Sequence, residues 1–310
     1  MGILFTILQA IPSASSQGIL WSVMTIGVYL TFRILDYPDL TVDGSFALGG
    51  AVSAILIVKG MDPFLSLLFA LMAGMLAGVA TGLLHTKLKI PGILAGILSM
   101  IALYSINIRV MGKANMPLLG EDTIVTRLSF LSPSKTVVAL ALGITVSVIV
   151  IALLYWFFGT ELGCCIRATG NNEYMVRALG GNTDNMKITG LFLSNGLVAL
   201  SGGMVAQQQG YADVGMGTGT IVIGLASVII GEVVFGWGEH SFAYKLFTVV
   251  LGSIVYRVII AVVLQLGLKS TDLKLLTAVI VAFALAIPVI KQALRPFFAA
   301  MKSSAVGKAG

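Results

Sequence analysis

Few residues in this 310-residue chain are of a type that does chemistry, and their spacing excludes most of what they could do. His85 and His240 are the only histidines, with no HExxH and no cysteine pair at zinc spacing, so no metal site is expected. Cys164 and Cys165 are adjacent and could hardly bridge each other without strain, which gives no sign of an oxidised extracellular fold. Leu200-Ser201-Gly202-Gly203 matches a tetrapeptide found in some ATPases, but no GxxxxGK[ST] phosphate loop accompanies it, and 267–271 lacks the glycine-lysine pair. Ser201-Gly202 also fails as an intramembrane protease site, because Ala199 stands where a glycine is needed. No catalytic residue and no cofactor are therefore expected.

Two charges remain. Glu232 lies inside the apolar run 224–236 (GLASVIIGEVVFG), and Arg257 lies inside the next one. A buried, unpaired carboxylate is costly, so Glu232 must be paired, protonated or wet. Arg257 is its natural partner, and a buried Glu232–Arg257 ion pair is the expectation. A role in solute or proton movement and a place at the cytoplasmic margin are the alternatives.

The elements that hold these residues follow from composition. Apolar residues make up 57% of the chain and charged residues 10%, against roughly 25% charged in an ordinary soluble domain. A membrane span takes ~20 apolar residues. Apolar runs bounded by charge, Gly, Pro or Asn fall at 17–35, 43–58, 63–84, 90–110, 135–158, 188–208, 220–235, 242–266 and 273–290. The expected fold is an all-α polytopic transmembrane helix bundle of about nine spans, forming one domain over 1–310. A soluble enzyme, a nucleic-acid-binding domain and a disordered tail are excluded. The second and seventh runs are short and glycine-interrupted, so they are expected to be short, broken or incompletely crossing helices, as those bordering a solute path often are. No basic segment precedes the apolar run 3–8, so no cleaved signal peptide is expected.

The net charge of +6 reads as basic residues at membrane margins. Lys87, Lys89 and the basic tail from Lys291 to Lys308 favour a cytoplasmic C-terminus. Gly74, Gly78 and Gly82, then Gly92 and Gly96, recur every four residues and predict close helix packing, within the chain or between subunits.

Two polar segments are patterned. In the cytoplasmic loop 159–187, Asn171 or Asn172 can cap a short helix with Glu173 in its first turn. Met175, Val176 and Leu179 then share a face, and Gly180-Gly181 end the helix. A helix of about two turns is not stable alone in water and must dock, into its own bundle or a partner's groove. In the segment 33–51, Arg33 and Asp36 are spaced to neutralise each other, Pro38 ends the first helix, and Asp43 and Ser45 can cap the next.

These segments carry a resemblance. Residues 29–51 (YLTFRILDYPDLTVDGSFALGGA) and 160–195 resemble the permeases of bacterial ABC importers of the branched-chain amino acid and ribose type. The nearest branch is the one encoded with tryptophan- or tyrosine-type binding lipoproteins. The family pattern G-x-x-x-R-A-x-G-x-N is met by Gly163, Arg167, Ala168, Gly170 and Asn172. A third block, 224–236, is similar but has Glu232 where relatives usually carry glycine.

The resemblance implies an alternating-access permease in the bacterial inner membrane that imports a small solute, with amino acids, aromatic ones included, as the nearest kin. It implies cytosolic ABC ATPase subunits and an extracytoplasmic solute-binding protein as partners, a homodimer within membrane lipid, and no nucleic acid. ATP hydrolysis would lie on the partner. Arg167, Ala168, Asn171, Asn172, Glu173, Met175, Val176, Leu179 and Gly180 would then be the ATPase-coupling residues. Candidate pathway residues, chosen by polarity within spans expected to be central, are Ser45, Gly49, Ser99, Tyr104, Asn107 and Ser227; each is as readily a helix–helix contact. The main rival is a stand-alone secondary transporter or channel working through Glu232 and Arg257. A lipid-acting membrane enzyme is weaker, since no nucleophile or metal ligands are present.

Overall fold

The computed structural model describes residues 2–130, 134–236 and 241–267 and scattered positions between 272 and 286, leaving aside the side chains of 2–9 and 130. The expected span 273–290 and the basic tail lie largely outside the described residues. Helix α1 (Gly2–Tyr29) runs on through a π-helical turn (Leu30–Ile34), followed by α2 (Thr41–Val58), α3 (Pro63–Thr86) and α4 (Gly92–Met111). After β1 (Asn115–Pro117) and the single turn α5 (Ile124–Arg127) come α6 (Lys135–Phe158), α7 (Glu161–Asn171) and α8 (Glu173–Ala178). Helix α9 (Thr183–Gln209), β2 (Tyr211–Asp213), a 3-10 turn (Val214–Gly217), α10 (Thr220–Phe235) and α11 (Phe242–Gln265) complete the described chain.

Seven helical segments among the described residues are long and apolar enough to cross a membrane: α2, α3, α4, α6, α9, α10 with its preceding turn, and α11. The first helix is longer than the run 17–35 suggests. It begins at Gly2 and continues through Pro12.

Local chemistry sets the ends. Asp62 caps α3 by accepting from the Phe64 and Leu65 amides, with Pro63 at the first helical position, where its missing N–H is harmless. The left-handed Gly112 and Gly210 close α4 and α9 at one end of the bundle. There β1 and β2 pair antiparallel, with Met116 opposite Ala212. Helix α9, 27 residues long and so about 40 Å from end to end, joins this ribbon to the α7–α8 segment at the other end.

The core lies where α1, α2 and α9 meet, around Trp21, Met24, Phe46, Leu191 and Met204. Lipid gives apolar helices no hydrophobic reason to associate, so contact area and hydrogen bonds must hold them. Small residues make the contact. A Cβ at Gly74 or Gly78 would run into the α9 backbone at Asn195 or Leu191, and one at Gly49 into the Ala199 carbonyl. Of the two packing readings open for the glycine ladder of α3, the structure therefore supports packing within the chain, against α9.

Candidate functional site

The α7–α8 segment is built from caps inward. Thr160 caps α7 by accepting from the Gly163 amide, and Asn172, of the two candidate asparagines, caps α8 by accepting from the Met175 amide at 3.0 Å. At the other end Gly180 takes φ 84°, and the Gly181 amide donates back to the Val176 carbonyl. Six residues of helix cannot hold themselves together, and Glu173 supplies the anchor. Its carboxylate accepts from Lys187 Nζ at 2.8 Å and from Thr183 Oγ1 at 3.2 Å, and it pairs with Arg177 one turn along. Partial burial pushes the Glu173 carboxyl up, but the hydrogen bond and charge of Lys187, with Arg177 added, outweigh this and hold it below the usual carboxylate range.

The expected stripe of Met175, Val176 and Leu179 is split. Val176 is buried at 6% exposure, next to Gly181, while Tyr174, Met175 and Leu179 stand 83%, 46% and 81% exposed. So short a helix turns one apolar side chain inward as an anchor and leaves its neighbours facing out. Tyr174 was not singled out by periodicity, because its role depends on which way the helix is docked. Asn171 and Gly180 are exposed beside it, and Ala168 is half-buried. Arg167 turns back on its own chain, donating to the Phe158 carbonyl at 3.0 Å and to Cys164 Sγ, with its guanidinium 5.9 Å from the Phe242 ring.

The segment meets the transmembrane helices at Gly170, where a Cβ would run into the Ile34 carbonyl of the π-helical turn. Beyond that turn Asp36 is left-handed at φ 51°, a conformation that side chains rarely adopt. The spacing-based Arg33–Asp36 pair does not form, because the helix widens and ends between them. Arg33 instead pairs with Glu232. The chain then re-enters the bundle: Tyr37 Oη donates to the Gly92 carbonyl at 3.1 Å, and Asp39 accepts from Asn195 Nδ2 at 2.7 Å.

This begins a polar seam along α2 and α9. Ser45 donates to Asn195 Oδ1 at 2.7 Å, and Gln207 Nε2 donates to Ser53 and Ser66. Asp43 does not cap its own helix. Its carboxylate accepts from the Gly219 and Ile221 amides and the Thr220 hydroxyl at 2.8–3.0 Å, so it caps α10 from outside. An acid placed there meets the positive end of the α10 dipole as well as its unpaired N–H groups. Local capping rules cannot find such a cap, since 176 or more residues separate the partners.

The pathway candidates divide. Ser45, Gly49, Ser99 and Ser227 are buried in helix contacts, with Ser99 accepting from Thr81 and Ser227 donating to the Ile223 carbonyl. Tyr104 and Asn107 are brought together at a cavity of about 280 Å³ between α2, α4 and the turn before α10. Met100, Ile101, Ala47, Asp43 and Thr218 also line it. Tyr104 is 57% exposed, whereas Asn107 is buried and donates to the Gly44 carbonyl.

The expected Glu232–Arg257 pair is corrected. Glu232 lies near the α7–α8 end, where Arg33 reaches it, while Arg257 lies well along α11 with its guanidinium 3.7 Å from the Trp21 ring centroid. Although the two residues occupy consecutive helices, α10 and α11 run in opposite directions, so 25 residues of separation carry them toward opposite ends of the bundle. Among the described residues, no group of His, Cys, Asp and Glu is placed to hold a metal ion.

Comparison with known proteins agrees with this architecture. Residues 11–299 match the family model described as the permease component of branched-chain amino acid transport systems. A tyrosine transport system permease protein from Clostridioides difficile (strain R20291) is 41% identical over 90% of this chain and 91% of its own. An uncharacterised protein from Rickettsia prowazekii (strain Madrid E) is 34% identical over 88% of this chain and 95% of its own. The galactofuranose transporter permease protein of Escherichia coli (strain K12) is 31% identical over 47% of this chain and 41% of its own. No solved structure matches.

Proposed function

Since the chain belongs to the permease component family of branched-chain amino acid transport systems, we propose that it is the transmembrane subunit of an ATP-driven importer in the inner membrane. In this reading the α7–α8 segment is the coupling loop seated on a cytosolic ATPase subunit. One observation carries it: three large apolar side chains, Tyr174, Met175 and Leu179, face outward from a short helix that is anchored firmly from behind. A surface loop helix without a partner would gain nothing by exposing them. Helix-in-groove docking uses such side chains as its anchors.

Motion of that segment has a physical route inward. It presses on the π-helical turn at Gly170, which leads through Tyr37 and Asp39 to α4 and α9. Close-packed helices of this kind shift as rigid bodies instead of deforming, which favours alternating access. The solute path follows the α2–α4 cavity bordered by Tyr104 and Asn107. The cargo is a small solute, and the similarity to a tyrosine permease favours an amino acid. Its carboxylate would not be held by the α10 N-terminus, because Asp43 already occupies those amides. The reading further includes nine crossings in one permease domain over 1–310, a cytoplasmic C-terminus, a homodimer and delivery by an extracytoplasmic binding protein.

Co-purification tests the reading. The wild-type chain should bring down a nucleotide-binding subunit, and Leu179→Asp should lose it while remaining folded. ATP-independent uptake by the purified chain alone would contradict the proposal and restore the stand-alone transporter.

A further inference from the structure

Arg257 has no role in the reading above, and its surroundings are unusual. Among the described residues it forms no ion pair, and its Nε is buried without a hydrogen-bond partner. The segments 1–9 and 273–310 contain no Asp or Glu. A cation inside an apolar helix is costly without an anion or a wet cavity. Arg257 borders a cavity of about 420 Å³ between α1 and α11.

The lining of that cavity is amphipathic. Ala14, Ala261 and Leu264 give it apolar walls, while Ser13, Gln17 and Gln265 supply polar groups. Arg257 lies eight residues inside the end of α11 at Gln265, about 12 Å along the axis. The Trp21 ring, its centroid 3.7 Å from the guanidinium carbon, backs one face of the guanidinium, and Arg257 is among the residues lining the cavity. The planar N–H fork of a guanidinium matches two oxygens of a phosphodiester.

We propose that this cavity binds the phosphodiester headgroup of a membrane phospholipid, with Arg257 holding the anion and the apolar walls receiving the first part of an acyl chain. In this proposal the site opens to the membrane on the α1–α11 flank. It is separate from the α2–α4 cavity of Tyr104 and Asn107. The proposal stands or falls independently of the importer reading.

Trp21 reports the site directly, since the other two tryptophans are Trp156 and Trp237. The full-length chain carrying Trp156→Phe and Trp237→Phe is titrated in detergent with phosphatidylglycerol bearing brominated acyl chains. Trp21 fluorescence should be quenched with saturation at one lipid per chain. Diacylglycerol with the same brominated chains should bind about fivefold more weakly, as should phosphatidylglycerol to Arg257→Gln, as expected for loss of one charge contact at a membrane. Ala261→Leu, which fills the cavity and keeps the cation, should abolish saturable quenching, and it decides the matter if Arg257→Gln fails to fold. Identical curves for the wild type and Ala261→Leu, equal quenching by diacylglycerol, or displacement by millimolar inorganic phosphate or L-tyrosine would overturn the proposal.

Discussion

The α2–α9 seam and the α7–α8 segment dispose of their polar and apolar groups in opposite ways. Along the seam, polar side chains point inward and are satisfied by one another: Asp39 and Ser45 on Asn195, and Ser53 and Ser66 on Gln207. In the α7–α8 segment the charged groups also turn back on the chain, through Glu173, Lys187 and Arg177, but large apolar groups are left facing out. A self-satisfied polar seam inside a membrane is structural, because lipid offers its groups no alternative partner. An outward apolar surface beyond the membrane is incomplete, because water penalises it. On the proposed reading, the contrast separates what holds the permease together from what it offers to a partner.

The largest effect should come from the seam. Asn195→Leu would take one hydrogen bond from the buried Asp39 carboxyl, which keeps the Thr41 amide, and would leave the Ser45 hydroxyl unsatisfied. Each buried polar group so stranded costs about 1–3 kcal/mol. Thermal unfolding should show a severe loss of folded protein; an unchanged midpoint would mean that the seam is wet and the contrast false. Next, Leu179→Asp combined with Tyr174→Asp should leave the unfolding midpoint alone and weaken ATPase binding at least tenfold, because anchor side chains at interfaces each carry about 2 kcal/mol or more. If stability fell and binding did not, the two regions would have exchanged roles.

A smaller effect is expected at Glu173. Replacing it with Gln should speed amide hydrogen exchange in α8 by less than about tenfold, since partly exposed ion pairs contribute about 1 kcal/mol or less. Because the folded-state carboxyl titrates below its ordinary value, its contribution is complete above the usual carboxylate range. It is lost as pH falls through the lowered value. Exchange in α8 should therefore be insensitive to this group from pH 7 down to about 5 and should loosen only below about 4. Smallest of all, Arg127→Ala, which removes the exposed pair with Asp62, should leave the unfolding midpoint within experimental scatter.

How much of this was legible in the sequence depended on the range of the interaction. Features set by neighbours could be read: apolar runs, the Asn172 cap, the Gly180-Gly181 stop and the glycine ladder of α3. Features set across the fold could not. Asp43 resembles a cap for its own helix and caps α10 instead, and Glu232 finds Arg33 in the π-helical turn after α1 instead of Arg257 on the adjacent helix. The outward face of α8 was half-legible for the same reason. Periodicity marks its apolar residues, but only docking against Gly181 decides that Val176 turns in and Tyr174 turns out. Among the pathway candidates, polarity alone could not separate Ser45 and Ser99, used for packing, from Tyr104 and Asn107, which border a cavity.

Photo-crosslinking tests the exposed handle most directly. A benzoylphenylalanine introduced at Tyr174, and in a parallel variant at Val176, is activated in membranes containing the assembled importer. The account predicts an adduct with the nucleotide-binding subunit, identified by mass spectrometry, from position 174 and none from position 176. Adducts only to lipid or to the chain itself at 174, or equal capture at both positions, would contradict it.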